Sequence, residues 1–91
     1  MVMEKMILES ALGGYSKKDV LARTDAYNSL IVLIEGGRIS DAVINAELEK
    51  IRQMPVRKAR FLFFPGPGFS VPQTEKYFSD LEKEIKQKIM L

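Results

Sequence analysis

Basic and aromatic side chains stand next to each other between positions 57 and 64. The basic residues are Arg57, Lys58 and Arg60, and the aromatic residues are Phe61, Phe63 and Phe64. Each cation near an anionic lipid surface adds about 1 kcal/mol of attraction, and aromatic rings can enter the bilayer interface. The pattern therefore predicts a peripheral membrane contact, in which Phe63 and Phe64 are apolar members. The favoured alternative is that Phe61 and Phe63 pack into the core while the cations are solvated.

The chain contains no histidine and no cysteine, which limits the chemistry open to it. Disulfides, thiolate metal sites and the commonest general base are excluded. The spacing of the acidic residues does not indicate a catalytic cluster of carboxylates. We therefore expect no enzymatic activity, no bound metal and no cofactor. The lack of cysteine also fits a reducing cytoplasm.

Charge and apolar pattern narrow the class of protein further. Fourteen basic and twelve acidic residues give a net charge of +2, too even a balance to indicate nucleic-acid binding by itself. The longest apolar runs hold about five residues, as at 30–34, whereas a membrane-spanning helix needs about 20. The first twelve residues have no long apolar run, so a signal peptide is not expected. The expected location is the cytoplasm, including the inner face of the cell membrane.

A short pattern occurs twice, as "GGYSKKDV" at 13–20 and "PGFSVPQT" at 67–74. Each copy has a glycine, an aromatic residue, a serine, two free positions, Asp or Gln, and a β-branched residue. Glycine permits a sharp bend, and serine is a strong helix N-cap. The aromatic residue before the cap can pack on the first helical turn as a hydrophobic staple. The repeat is therefore either a helix-start device used twice or a duplicated binding module.

The elements that position these residues are mostly helical. Helices are predicted over residues 17–34, 41–54 and 71–90, and a shorter helical pattern covers 2–12. The predicted N-caps are Ser16, Ser40 and Ser70, the last with Gln73 in a capping box. The fold class is mainly α: a small helical domain with an αα-hairpin, an extended aromatic and Pro/Gly segment at 56–69, and a C-terminal helix.

The last helix also carries the spacing of a coiled-coil seam. Phe78, Leu81 and Ile85 recur at intervals of three and four residues, with Ile89 beyond them. This face either packs on the αα-hairpin or forms a homodimer, and we expect some homodimerisation. The chain divides into units 1–54 and 55–91, each with one copy of the repeat, and the two units are expected to share a core.

Both copies resemble the module of the DivIVA/GpsB family of bacterial division and polarity proteins. The matching stretches are "ILESALGGYSKKDVLARTD" and "FLFFPGPGFSVPQTEKYFSDLEKEI". The first copy has the upstream Ile-Leu-Glu of the family at residues 7–9 and its glycine, tyrosine, acids and valine at Gly14, Tyr15, Asp19, Asp25 and Val20. The second copy has Gly68, Phe69, Glu75, Tyr77, Phe78 and Leu81. The first departs from the family at Leu21, Arg23 and Thr24, and the second at Phe69 and Thr74.

This resemblance implies a non-catalytic scaffold. Members of the family form parallel coiled-coil dimers, and their loops meet the inner membrane face or the cytoplasmic tails of cell-wall synthases. In the members that bind such tails, the tyrosine and nearby acids hold an arginine of the tail. The resemblance therefore implies partner-binding roles for Tyr15, Asp25, Phe69 and Glu75, with proteins of division or the cell wall as partners.

A second hypothesis comes from another class of proteins. Four basic residues, Arg52, Arg57, Lys58 and Arg60, stand close together in the sequence and would suit a small nucleic-acid-binding module. The even charge balance makes this the less favoured of the two hypotheses.

Overall fold

The computed structural model describes residues 8–90, which contain three helices and two small antiparallel sheets. The elements in chain order are β1 (Ser10–Leu12), α1 (Lys17–Glu35), α2 (Asp41–Arg52), β2 (Arg60–Phe61), β3 (Phe64–Pro65), β4 (Pro67–Phe69) and α3 (Val71–Met90). Helices take up 61% of the described residues, which confirms the prediction of a mainly α fold.

Serine caps start all three helices, as the sequence predicts. The hydroxyl oxygens of Ser16, Ser40 and Ser70 each accept from the backbone N–H three residues later, at 3.2–3.4 Å. These bonds satisfy a donor that the first helical turn leaves free. The last predicted helix begins where expected, and the middle one ends at Arg52, two residues before its predicted end at residue 54.

The helix predicted over 2–12 is wrong where the structure describes it. Ser10–Leu12 form strand β1, which pairs antiparallel with β4, and residues 1–7 lie outside the described residues. The register places Ser10 opposite Phe69 and Leu12 opposite Pro67. A short helix is marginal by itself, so pairing with a distant strand overrides the helical spacing.

Helices α1 and α3 run parallel, because contacts join both their beginnings and their ends. Tyr15 pairs with Phe69 just before the two helices, and Lys88 Nζ lies 3.0 Å from Glu35 Oε2 at their far ends. The buried positions on α1 and α3 match at a spacing of 54 residues. These pairs are Val20 with Thr74, Thr24 with Phe78, Tyr27 with Leu81, and Ile31 with Ile85. The repeat therefore extends through both helices.

Helix α2 packs against α1 and completes the core. Ile44, Leu48 and Ile51 are its buried side chains, and they join those of α1 and α3 in one cluster. Glycine at 36 and 37 makes the short turn between α1 and α2, as expected for an αα-hairpin.

The seam predicted on the last helix is buried within the chain. Phe78, Leu81 and Ile85 are at most 8% exposed and belong to the same cluster as the buried residues of α1. Helix α1 thus takes the place of a second copy along this seam. Homodimerisation stays a prediction.

Candidate functional site

The two copies of the repeated loop bind each other. Tyr15 N–H donates to Phe69 C=O, and Phe69 N–H donates to Tyr15 C=O, both at 2.8 Å. The preceding glycines make this crossing possible. A Cβ at Gly14 would lie 2.2 Å from the Phe69 carbonyl oxygen, and one at Gly68 would lie 2.4 Å from that of Tyr15. Both glycines are therefore required by close approach of the other loop's backbone.

Each copy also forms two hydrogen bonds to the backbone of one residue in an extended segment. In the first copy, Ser16 N–H donates to Arg57 C=O, and Arg57 N–H donates to Asp19 Oδ2 at 3.0 Å. In the second copy, Ser70 N–H donates to Glu9 C=O, and Glu9 N–H donates to Gln73 Oε1 at 2.8 Å.

The serine and the Asp or Gln three positions later therefore form a backbone clamp in both copies. The repeat pattern requires a polar acceptor at that position for this reason. The predicted cap at Ser70 is confirmed, but the reciprocal half of the capping box is wrong. The Ser70 N–H donates to Glu9 C=O, and the Gln73 side chain accepts from the N–H of Glu9, the residue just before β1.

The clamps define which extended residues are equivalent. Residues 8–11 bind the second copy as residues 56–59 bind the first: Glu9 corresponds to Arg57, and Leu8 and Val56 both pack on the core. This equivalence has a spacing of 48 residues, whereas the loops and helices repeat at 54. The second copy therefore contains six additional residues, 60–65, and these form the β2–β3 hairpin.

The additional hairpin exposes four consecutive apolar side chains. Phe61 and Phe64 are each 67% exposed, Leu62 is 74% exposed, and Phe63 at the tip is 91% exposed. The expectation that Phe61 and Phe63 pack into the core is wrong, because the two-residue turn points them away from it. Leu62 has a positive φ of 58°, which is uncommon for a bulky residue.

The basic residues near the hairpin differ in their pairing. Arg57 forms an ion pair with Asp19, with Nε 3.0 Å from Oδ2, and this guanidinium holds the pKa of the carboxyl below its ordinary value. Lys58 Nζ lies 5.7 Å from the centre of the Tyr15 ring, within cation–π range. Arg60 is exposed, and no described carboxylate pairs with Lys58 or Arg60.

Of the predicted partner-binding residues, the structure brings together Tyr15 and Glu75. The Tyr15 hydroxyl donates to Glu75 Oε2 at 2.7 Å, and this bond together with burial raises the pKa of Tyr15. Phe69 lies across the loop from Tyr15, as its backbone partner. Asp25 is exposed on α1 and has no hydrogen bond to these residues. The aromatic and acidic set of the resemblance is therefore assembled from both copies, without Asp25.

A network of hydrogen-bonded polar side chains, which the sequence did not predict, links α1 to α2 through Glu82 of α3. Arg23 Nη2 donates to the Tyr27 hydroxyl at 3.1 Å, Tyr27 donates to Glu82, and Arg52 forms a two-point ion pair with Glu82. Burial disfavours ionisation of Glu82, but bonds from Arg52 and Tyr27 outweigh it and lower the pKa of this carboxyl.

The Arg23 guanidinium also lies 4.7 Å from the centre of the Phe78 ring. Helical spacing alone places Arg23 and Tyr27 on one face, but it gives no sign of Glu82, which lies 55 residues after Tyr27. Because Arg52 is already paired with Glu82, it is less available to bind a nucleic-acid phosphate than an unpaired arginine would be.

Among residues 8–90, no group of three or more acidic side chains is placed to hold a metal ion. Within the same range, none of the helices combines the length and apolar character required to cross a bilayer.

Comparison with known proteins adds no relative. No family model, curated protein or solved structure matches the chain.

Proposed function

We propose that this protein is a non-catalytic scaffold or adaptor of DivIVA-like type that contacts an anionic membrane surface through the hairpin at 60–65. The observation that carries the proposal is the exposure of Phe61, Leu62, Phe63 and Phe64 at the end of the molecule where α1 and α3 begin. Exposed apolar groups in such density mark interaction surfaces.

The hairpin is an addition relative to the first copy of the repeat. The first copy joins Ala11 to Leu12 directly, where the second copy inserts residues 60–65. None of the inserted side chains belongs to the core cluster or to the residues packed against it. Four exposed apolar side chains that lie outside the core of the described residues are best explained by a contact outside the chain.

A lipid surface fits the chemistry next to the hairpin. Arg57, Lys58 and Arg60 precede the aromatic tip, and Leu12, 77% exposed, lies on the neighbouring strand. Membrane binding of this kind increases with the apolar area inserted and with the attraction of cations to anionic lipid. A protein surface would usually offer a complementary pocket to each ring, whereas a bilayer accepts all four apolar groups without one.

The second part of the proposal is a protein partner, in bacterial division or envelope growth. Tyr15 and Glu75 support it, because their bonded side chains lie at the surface beside Lys58. A pull-down from the source cell with Tyr15→Ala should lose a partner that the wild type retains, provided that the variant remains folded by circular dichroism.

Vesicle flotation tests the membrane part. The wild type should float with phosphatidylcholine vesicles that contain phosphatidylglycerol, and less with phosphatidylcholine alone. Phe63→Ser should reduce flotation about tenfold, since it removes most of one aromatic side chain's burial. Leu33→Ser is the matched control, because Leu33 is also exposed, at 55%, but lies near the far end of α1. Equal loss in both variants, or no flotation of the wild type, would contradict the membrane part.

Two other expectations are tested by simple measurements. Homodimerisation would have to use another face than the buried seam, and sedimentation equilibrium would show it as a doubled mass. Nucleic-acid binding through Lys58 and Arg60 would give a salt-dependent gel shift, and its absence at low salt would remove that hypothesis.

A further inference from the structure

A cleft beside the hairpin has a larger net positive charge than the whole chain. It lies between the start of α1 and the extended residues 57–60, with a volume of about 380 Å³. Its charged lining residues are Lys17, Lys18, Asp19, Arg57, Lys58 and Arg60. Five cations and one carboxylate give the cleft a formal charge of +4, against +2 for the whole chain, so the remainder carries −2.

The single ion pair that the described residues form inside the cleft leaves most of its basic side chains free to bind an anion. The Asp19 carboxylate already accepts hydrogen bonds from the side chain and from the backbone N–H of Arg57. Among the residues that the structure describes, no carboxylate pairs with Lys17, Lys18, Lys58 or Arg60. Lys17 Nζ donates to Ser10 Oγ at 2.7 Å and lies 5.4 Å from the centre of the Phe69 ring, so it is held near the cleft wall.

We infer that this cleft binds a phosphate monoester, and that its source is the headgroup of an anionic lipid beneath the inserted hairpin. A phosphate monoester carries close to two negative charges at neutral pH and offers three acceptor oxygens. Several unpaired lysine and arginine donors around one opening match that dianion better than they match a single carboxylate. The lipid source rests on the proposed membrane contact, whereas the phosphate chemistry does not.

A comparison of two anionic lipids tests whether the cleft prefers a phosphate monoester. Phosphatidic acid has a phosphate monoester headgroup, whereas the phosphate of phosphatidylglycerol is a diester. In phosphatidylcholine vesicles of matched surface potential, we expect about fivefold tighter binding to phosphatidic acid, from one additional charge in the cleft. Equal binding to the two lipids overturns the inference while leaving the membrane contact itself intact.

Charge-neutralising variants test the location. Lys18→Gln with Lys58→Gln should weaken binding to phosphatidic acid vesicles about thirtyfold, since two cations are lost. Lys83→Gln with Lys86→Gln is the matched control: both lysines are exposed, and they lie about 18 Å or more along α3 from its start. That exceeds the screening length of about 8 Å, so the control should weaken binding less than about threefold. Equal weakening in the two variants overturns the inference.

Soluble phosphates separate the lipid source from the site. Titration with glycerol 3-phosphate, and with inorganic phosphate, should shift the backbone amide signals of Lys17, Lys18 and Lys58 in NMR spectra. If these shifts appear but the protein does not float with vesicles, the site is supported and the proposed membrane contact fails. If the protein floats but neither the shifts nor a preference for phosphatidic acid appears, the membrane contact stands and the inference fails.

Discussion

Tyr15 and Phe69 exchange both backbone hydrogen bonds, N–H to C=O in each direction, at 2.8 Å. The two residues occupy equivalent positions in the two copies of the repeat, so the copies form a pseudo-symmetric pair inside one chain. The repeated loops therefore bind one another, and their paired backbone groups are not free to bind an outside partner. In both copies the serine caps a helix, as expected for a helix-start device, while the loop also pairs with its counterpart. That the repeat is a duplicated binding module stays a prediction.

The crossing predicts that both loop glycines are intolerant of a side chain. Gly14→Ala and Gly68→Ala should each lower the free energy of unfolding by about 3 kcal/mol, because the new Cβ would overlap a backbone carbonyl. Urea denaturation measures the change. Gly36→Ala is the control: its Cβ would have 3.4 Å to the nearest atom, and stability should change by less than about 1 kcal/mol. A mild effect at Gly14 or Gly68 would contradict the crossed arrangement.

Thr74 predicts a stabilising substitution. Its side chain is fully buried, and its hydroxyl has no hydrogen-bond partner among the described residues. Thr74→Val should raise the free energy of unfolding by about 1–2 kcal/mol, because an unsatisfied buried hydroxyl is replaced by a methyl group of similar size. The reverse exchange at the equivalent position, Val20→Thr, should lower stability by a similar amount. Thermal denaturation that shows Thr74→Val to be destabilising would indicate a partner for the hydroxyl.

The two backbone clamps predict different responses to pH. Asp19 titrates with a pKa lowered below 3.8 by Arg57, so its contribution to stability is complete above pH 3.8 and is lost as pH falls through the lowered value. Gln73 holds Glu9 in the equivalent way and does not titrate. NMR spectra recorded down to acidic pH should show the Arg57 amide proton signal moving as Asp19 is protonated. Asp19→Asn is the control, because an amide in place of the carboxylate should remove this step. An Arg57 signal that moves equally in Asp19→Asn would contradict the clamp at Asp19.

Deletion of residues 60–65 should leave a folded protein. Gly66 N–H already donates to Ala59 C=O at 3.0 Å, so the ends to be joined are adjacent, and the first copy shows the shorter connection. We expect the free energy of unfolding to change by less than about 1 kcal/mol, since shortening a loop costs little. The same variant should no longer float with anionic vesicles. Circular dichroism and flotation together decide this, and an unfolded product would show that the hairpin is needed for the fold.

Much of the fold could be predicted from local chemistry. Ser16, Ser40 and Ser70 mark the helix starts because a hydroxyl next to free N–H groups acts within a few residues of the chain. The seam spacing of α3 correctly identified Phe78, Leu81 and Ile85 as a buried face. The partner of that face could not be read from spacing, because α1 and a second copy of α3 would satisfy it equally well. The helix predicted at Ser10–Leu12 is wrong, since the strand partner of these residues is more than fifty residues away.

Local sequence was enough to predict α1, α2 and α3, their serine caps and the repeat, and it excluded the chemistry that needs histidine or cysteine. That the two copies face each other, that Tyr15 meets Glu75 rather than Asp25, and that Phe61 and Phe63 are exposed follows from the tertiary structure alone. The physical reason is range: caps and periodicity depend on neighbours along the chain, whereas burial depends on which surfaces meet. The core is formed by the three helices, and the six inserted residues 60–65 lie outside it.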